Sequence, residues 1–373
     1  MAEYKGTHGT KIQNYTSDPA NPLTGQVWYN ATTNGLKYQY AATFTGWSTG
    51  GSLGTARYGL AGTGTQTAAL AFGGFPPNLA LTESYNGTSW TEVNDLNQAR
   101  RALAGAGTNT AALAFGGYVG PPVTAATESY NGSTWTEVND LVLARYGIAG
   151  CGTNTAALGF GGYVGAPTYY TGKTETWNGT NWTEVNDLNV GIVSSGGVGT
   201  NTAALAFGGS SQQSPPTEDK TELWNGTNWT AVNDLNRANE GPGGAGISTS
   251  ALAFGGAGIP TATINNTELW NGTNWTNVNN LGTGRIQVRG AGATNTAAIA
   301  IGGLLSPGPS AATGDTESWN GTNWTEMNDL QTARRSIGAA GTQTSALAFG
   351  GSPTTAATEE WNVGPATVTF DVS

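Results

Sequence analysis

Apolar residues along this chain fall in short runs that end in Gly-Gly, and the same run returns again and again. Ala68–Phe72 is closed by Gly73-Gly74, and the pair recurs at Gly116-Gly117, Gly161-Gly162, Gly208-Gly209, Gly255-Gly256, Gly302-Gly303 and Gly350-Gly351. Successive pairs are 43, 45, 47, 47, 47 and 48 residues apart. Around each run the polarity pattern predicts three further strands: a small-residue segment before it (ARRALAGAGT, from Ala99), an alternating piece after it (ATESYNG, from Ala126) and a last strand (WTEVNDL, from Trp135). Strands this short, separated by Gly and Asn, build small sheets rather than helices. A period in the forties with four strands per unit predicts an all-β fold, a seven-bladed β-propeller with four-stranded blades.

Each strand's composition suits a place in a blade. Six residues after the recurrent Arg position, which five units fill with Arg, stand Thr63, Ala106, Cys151, Val198, Ala245, Ala291 and Ala340, each followed by Gly. Only small side chains occur there, as expected where first strands converge on a central channel. The third and fourth strands are joined by Asn-Gly, as at Asn86-Gly87 and Asn178-Gly179. That dipeptide readily adopts the positive φ angles of tight hairpins. Aromatic pairs such as Tyr85 with Trp90 and Trp319 with Trp324 flank the turns and are expected to hold strands and blades together.

The last unit reaches ATEEWN (Ala357–Asn362) without the NGTNW turn, and an orphan Trp47 stands ten residues before Arg57. The same spacing separates Trp90 from Arg100 and Trp135 from Arg145. The strand around Trp47 is therefore expected to complete the seventh blade, removing an open sheet edge; the alternating tail Ala366–Val372 is the other candidate. Residues 1–40 form an N-terminal extension, with a short β-hairpin of Gln26–Asn30 and Leu36–Tyr40 around Thr-Asn-Gly, and residues 41–373 form the propeller.

Composition narrows the chemistry. Gly (58) and Pro (15) are abundant, and Lys+Arg (14) with Asp+Glu (24) leave the chain poor in charge, with net charge −10. With pI near 4.5 there is no basic footprint for nucleic acid. Apolar runs of about five residues cannot span a bilayer as helices, and MAEYKGTHGTK lacks an apolar signal core. One cysteine, Cys151, and one histidine, His8, offer no disulfide and no His-based metal site or triad, so no metal, cofactor or catalytic residue is assigned. The repeated Glu83, Glu128, Glu175, Glu222, Glu268, Glu317 and Glu359 obey the repeat, as do Asp95, Asp140, Asp187, Asp234 and Asp329. Catalytic residues break such symmetry, so pairing of Glu with Arg57, Arg100, Arg145, Arg285 or Arg334, and turn capping by Asp, are the expected roles.

Gly-Gly after an apolar strand, a Tyr or Trp some eleven residues on, a second Trp five later and an Arg ten beyond it resemble the Kelch repeat, over about residues 40–373. The oxidases of that architecture need copper ligands absent from the blades here, and sialidase-like propellers carry an Asp in the turn that NGTNW lacks; glycoside hydrolysis is the least favoured reading. DPANP, GQVWYN and the Gly/Thr-rich propeller are similar to virion and tail-associated proteins of bacteriophages, especially marine ones. That resemblance implies a non-enzymatic virion structural protein, assembled in the host cytoplasm, most simply a tail-fibre or spike component. A capsid-decoration role and a bacterial extracellular polysaccharide-binding propeller are the alternatives.

Asymmetry between repeats points to where binding would occur. From Gly-Gly to the Thr-Glu of the alternating third strand the connections hold 7, 9, 11, 11, 10, 12 and 6 residues, whereas other turns barely vary. These loops share a face with the blade-to-blade connections and carry Phe75, Tyr118, Tyr163, Tyr169, Tyr170, Ile259, Leu304 and Leu305. They are the candidate contacts to a host-surface glycan or protein, with Trp28 and Tyr29 of the extension as candidate attachment residues to other virion proteins, in several copies per particle. The Arg position becomes Ile192 and Asn239 in two adjacent units. This reads either as drift at a tolerant surface position or as part of the binding region.

Overall fold

The computed structural model describes residues 12–17, 27–32, 35–212, 216–258, 262–305 and 312–370. Among these there are strands and turns but no helix. Blade 1 is Ala61–Thr65, Ala68–Phe72, Thr82–Tyr85 and Trp90–Val93, paired antiparallel in that order. Blades 2 to 6 repeat the order, beginning at Ala104, Ala149, Gly196, Gly243 and Arg289. Blade 7 takes Gly338–Thr342, Ser345–Phe349 and Thr358–Phe370 from the end of the chain and its outer strand, Gly35–Thr49, from the beginning. Residues 366–370 prolong the third strand of that blade and do not occupy the outer place. Each first strand touches the next around the ring, and the seventh touches the first.

Two side-chain rings explain why seven similar units close. The outer-strand Trp of every blade donates its indole N–H to a threonine hydroxyl on the third strand of the preceding blade. The pairs are Trp90 to Thr358, Trp135 to Thr82, Trp182 to Thr127, Trp229 to Thr174, Trp275 to Thr221, Trp324 to Thr267 and Trp47 to Thr316, at 2.8 to 3.0 Å. Six of these indoles also lie against the second-strand Phe of that preceding blade, as Trp135 does on Phe72 at 5.0 Å between centroids. Trp47 instead shares its cluster with Ile301. A buried donor satisfied in this way contributes about 1 kcal/mol net, beyond the area the indole buries.

The inner strands can converge because glycine stands where a side chain has no room. Gly64 has φ 105°, and a Cβ there would lie 2.2 Å from the Ala68 carbonyl; its equivalents in the other blades are alike. At Gly62, Gly105, Gly150, Gly197, Gly244 and Gly290 the obstruction is the Phe ring of the preceding blade, as with Phe349 at 2.5 Å from the Gly62 site. At the outer edge, Asn139, Asn186, Asn233 and Asn279 donate to the carbonyls of Thr180, Thr227, Thr273 and Thr322 in the following blades, at 3.0 to 3.2 Å. The Asn-Gly turns are held by the asparagine itself: Asn86 Oδ1 accepts from the N–H groups of Thr88 and Ser89, and five more turns repeat this.

The chain divides into two compact units, Trp47–Trp361 and Met1–Gly46 with Asn362–Ser373. The boundary at Trp47 lies within the strand Gly35–Thr49. In the smaller unit Val27–Asn30 pairs antiparallel with the start of that strand, Asn30 opposite Gly35, and parallel with Gln13–Tyr15. Thr33 and Asn34 of the expected turn lie outside the described residues. Strand alternation buries Trp28 and Asn30 and leaves Val27 and Tyr29 on the more open side.

Candidate functional site

The recurrent arginines are the most deeply buried charges among the described residues. Arg57, Arg100, Arg145, Arg285 and Arg334 are fully buried and pair with Glu83, Glu128, Glu175, Glu317 and Glu359 at 2.9 to 3.0 Å. Ile192 and Asn239 occupy the same buried position, so it is a core site and not a tolerant surface one. The side chain there lies under Gly-Gly: Arg100 donates to the carbonyls of Gly116, Ala114 and Ala126. In blade 4, where Ile192 removes the cation, Glu222 is still buried and accepts from the backbone and side-chain N–H of Asn189. Burial pushes the Glu222 carboxyl above its ordinary range. The turn aspartates cap the third strands, Asp95 Oδ1 accepting from Thr82 N at 2.9 Å and Asp140 Oδ1 from Thr127 N at 3.0 Å. The repeated carboxylates thus have structural partners.

Above this layer, on the face carrying the connections between second and third strands, the residue after each buried Arg position bridges the residue after Gly-Gly. The pairs are Tyr58 with Phe75, Arg101 with Tyr118 and Tyr146 with Tyr163 in blades 1 to 3. They continue as Val193 with Ser210, Glu240 with Ala257, Ile286 with Leu304 and Arg335 with Ser352. Only the first three blades fill both positions with flat, polarisable groups, and these meet in a continuous arc. Tyr58 packs edge-on to Phe75 at 5.5 Å, and the Arg101 guanidinium lies 4.2 Å from the Phe75 centroid and 4.8 Å from that of Tyr118. Tyr118 meets Tyr146 at 5.5 Å and Tyr146 meets Tyr163 at 5.0 Å. Tyr163 touches both Tyr169 and Tyr170.

Blade 3 extends the arc because its long connection is a small hairpin, Tyr163–Gly165 against Tyr169–Tyr170. Tyr169 stands at its tip, exposed, with φ 49°. Burial and the neighbouring phenols raise the pKa of the Tyr146 hydroxyl, which therefore stays protonated and can donate. The arc presents half-buried ring faces and hydroxyl donors on a rigid base. Such surfaces stack on the C–H faces of saccharide rings or cover apolar protein patches.

Phe75, Tyr118, Tyr163, Tyr169 and Tyr170 are thus brought together, whereas Leu304 and Leu305 lie half-buried in blade 6, Leu304 bridging Ile286. Ile259 lies outside the described residues. Tyr58, Arg101 and Tyr146 were missed by sequence reasoning, which followed loops of variable length. Their signal is register: each stands one residue after the recurrent Arg and faces the residue after Gly-Gly. Of the two attachment candidates, Trp28 is fully buried and Tyr29 half-buried, so the indole itself presents no surface.

No protein-family model matches the chain, and no curated protein does either. Among solved structures, one titled "Structure of YjhT" matches with TM-score 0.59 at 14% identity, covering 75% of this chain and 100% of that one. At that identity the likeness speaks for architecture alone, and by architecture this chain is a seven-bladed β-propeller.

Proposed function

We propose that this protein is a non-enzymatic recognition module. Its aromatic arc on blades 1 to 3 binds a saccharide on a cell surface, and its N-terminal segment joins the propeller to a larger particle, as a phage tail fibre or spike component would be joined. The observation that carries the binding half is that Tyr58 with Phe75, Arg101 with Tyr118 and Tyr146 with Tyr163 fill both bridging positions with flat groups in three consecutive blades, whereas no other blade fills both. A structural requirement of the fold would repeat in every blade. The likeness of DPANP and GQVWYN to virion proteins, with the Kelch-like spacing of Trp and Arg, supports the particle half. A shallow arc gives weak single-site affinity, which several copies per particle would raise by avidity.

Tyr118→Ala with Tyr163→Ala is expected to weaken binding to host cells or to a glycan array at least about tenfold. The melting temperature should change little, since both rings are half-buried. Full binding by this variant would refute the arc, and loss of binding on treating cells with protease but not glycosidase would replace the saccharide by a protein receptor. Deleting residues 1–35 should leave a cooperatively folding propeller that no longer enters its assembly. Incorporation at the unmodified level would refute the anchor.

A further inference from the structure

A cavity of about 470 Å³ lies at the axis of the ring, bordered by the blade-to-blade connections. Its rim residues Gly59, Ala102, Gly147, Ser194, Gly241, Gln287 and Ser336 all have positive φ, between 49° and 65°. The turn recurs in every blade, so this geometry belongs to the fold and sets the shape of the rim. The volume is that of a small-molecule site.

One blade breaks the symmetry of the wall. Four residues after the recurrent Arg position, six blades carry Ala61, Ala104, Ala149, Gly196, Gly243 and Gly338; blade 6 carries Arg289. The residue paired across the strand from this position is Phe in the six and Ile301 opposite Arg289. A third exchange accompanies these two. Where the next blade elsewhere has glycine against the Phe ring, blade 7 has Ala339, at the position equivalent to those glycines and following the blade whose Phe is replaced by Ile301. Three exchanges at linked positions of the repeat, a large side chain at one and smaller demands at the others, fit an accommodated side chain rather than drift.

Arg289 is the sole charged residue among those lining the cavity. Its Nε donates to the Ile337 carbonyl at 3.1 Å, and among the described residues its two Nη atoms have no partner. The side chain is open to water in the cavity yet encircled by the ring. Desolvation lowers its pKa and no carboxylate offsets the effect. Beside it, Gln287 Oε1 accepts from Arg335 and Ser336, which turns the amide so that Nε2 is left as a further donor. We propose that the axial cavity binds a small oxyanion-bearing molecule, up to about the size of a monosaccharide, whose carboxylate or phosphate oxygens are held by the Arg289 guanidinium. A planar fork with two free N–H edges matches either group.

The test is isothermal titration calorimetry of the full chain with D-glucuronate, D-glucose 1-phosphate and, as uncharged control, D-glucose. At least one anion should bind with a Kd of about 1 mM or tighter, glucose should not, and the anion that binds identifies the source as carboxylate or phosphate. Arg289→Ala should weaken that binding at least about tenfold. The combined variant Arg289→Gly, Ile301→Phe, Ala339→Gly writes the pattern of the other blades into this one, so it should fold and not bind. Neither anion binding at about 10 mM, or either variant binding as well as the unmodified protein, would overturn the proposal.

Discussion

Replacing Arg100 by methionine is expected to lower the unfolding free energy by about 3–5 kcal/mol, the cost of leaving a buried charge without its partner. Methionine fills much the same volume but supplies no donor. Glu128, 1% exposed, would keep the N–H groups of Asn97 and lose its counter-ion, and the Gly116 and Ala114 carbonyls would lose a donor. Removing both charges, Arg100→Met with Glu128→Gln, should recover much of the loss.

Blade 4 shows what the single variant would become, because Ile192 already leaves Glu222 without a cation, held by N–H groups such as those of Asn189. A carboxyl whose folded pKa is raised above its unfolded one favours the folded state most below the unfolded value, and that contribution is lost as pH rises through the folded value. The deficit of the Arg100→Met variant should therefore shrink on acidification from about pH 7 to about pH 4.5. Denaturant titrations at the two pH values would measure it. A variant within about 1 kcal/mol of the unmodified protein would mean that the buried pairs are dispensable.

Trp47→Ala should be as damaging, by a different route. Truncating a buried Trp costs about 3–5 kcal/mol, and here the indole also gives up its bond to Thr316 and its contact with Trp361 at 5.5 Å. Trp135→Ala removes an equivalent side chain, with the same bond to Thr82. The difference is tethering: Trp135 is tied to its blade by an Asn-Gly hairpin, whereas the strand bearing Trp47 comes from the opposite end of the chain. Loosened, it exposes the Thr358–Trp361 edge. Edges of that kind pair with other chains. Light scattering after size exclusion should thus show association for Trp47→Ala beyond that of the unmodified protein and none for Trp135→Ala. Equal behaviour of the two would show that the junction of the termini is no weaker than any other.

The blade number and strand order were legible because Gly-Gly, Trp and Arg each mark a fixed place in a repeated sheet. The depth of the arginines was not. A lone Arg is ordinarily exposed, and only the fold shows that it threads beneath Gly-Gly to reach a glutamate of its own blade. Half of the arc was readable from loop length, since Tyr118 and Tyr163 follow Gly-Gly directly. Tyr58, Arg101 and Tyr146 sit in a connection of constant length and become meaningful only when the two positions are seen bridging. The pairing of Tyr163 with Tyr170 depends on a hairpin that a loop rich in Gly and Pro does not announce. Arg289 was hidden for a related reason: one unusual residue among seven reads as noise until Ile301 proves to lie opposite it across the strand pair.

The six Asn-Gly turns of the blades carry a liability that their own hydrogen bonds offset. Asparagine before glycine is the peptide site most prone to cyclise: the following backbone nitrogen attacks the side-chain amide carbon, ammonia leaves, and the imide hydrolyses to isoaspartate or aspartate. In each turn the amide oxygen is held by the two N–H groups two and three residues on. A side chain so pinned cannot swing freely into the geometry of attack. The bonds that shape the hairpins therefore also slow their chemical ageing, and the rim keeps its uncharged turns for as long as the sheet beneath them stays paired.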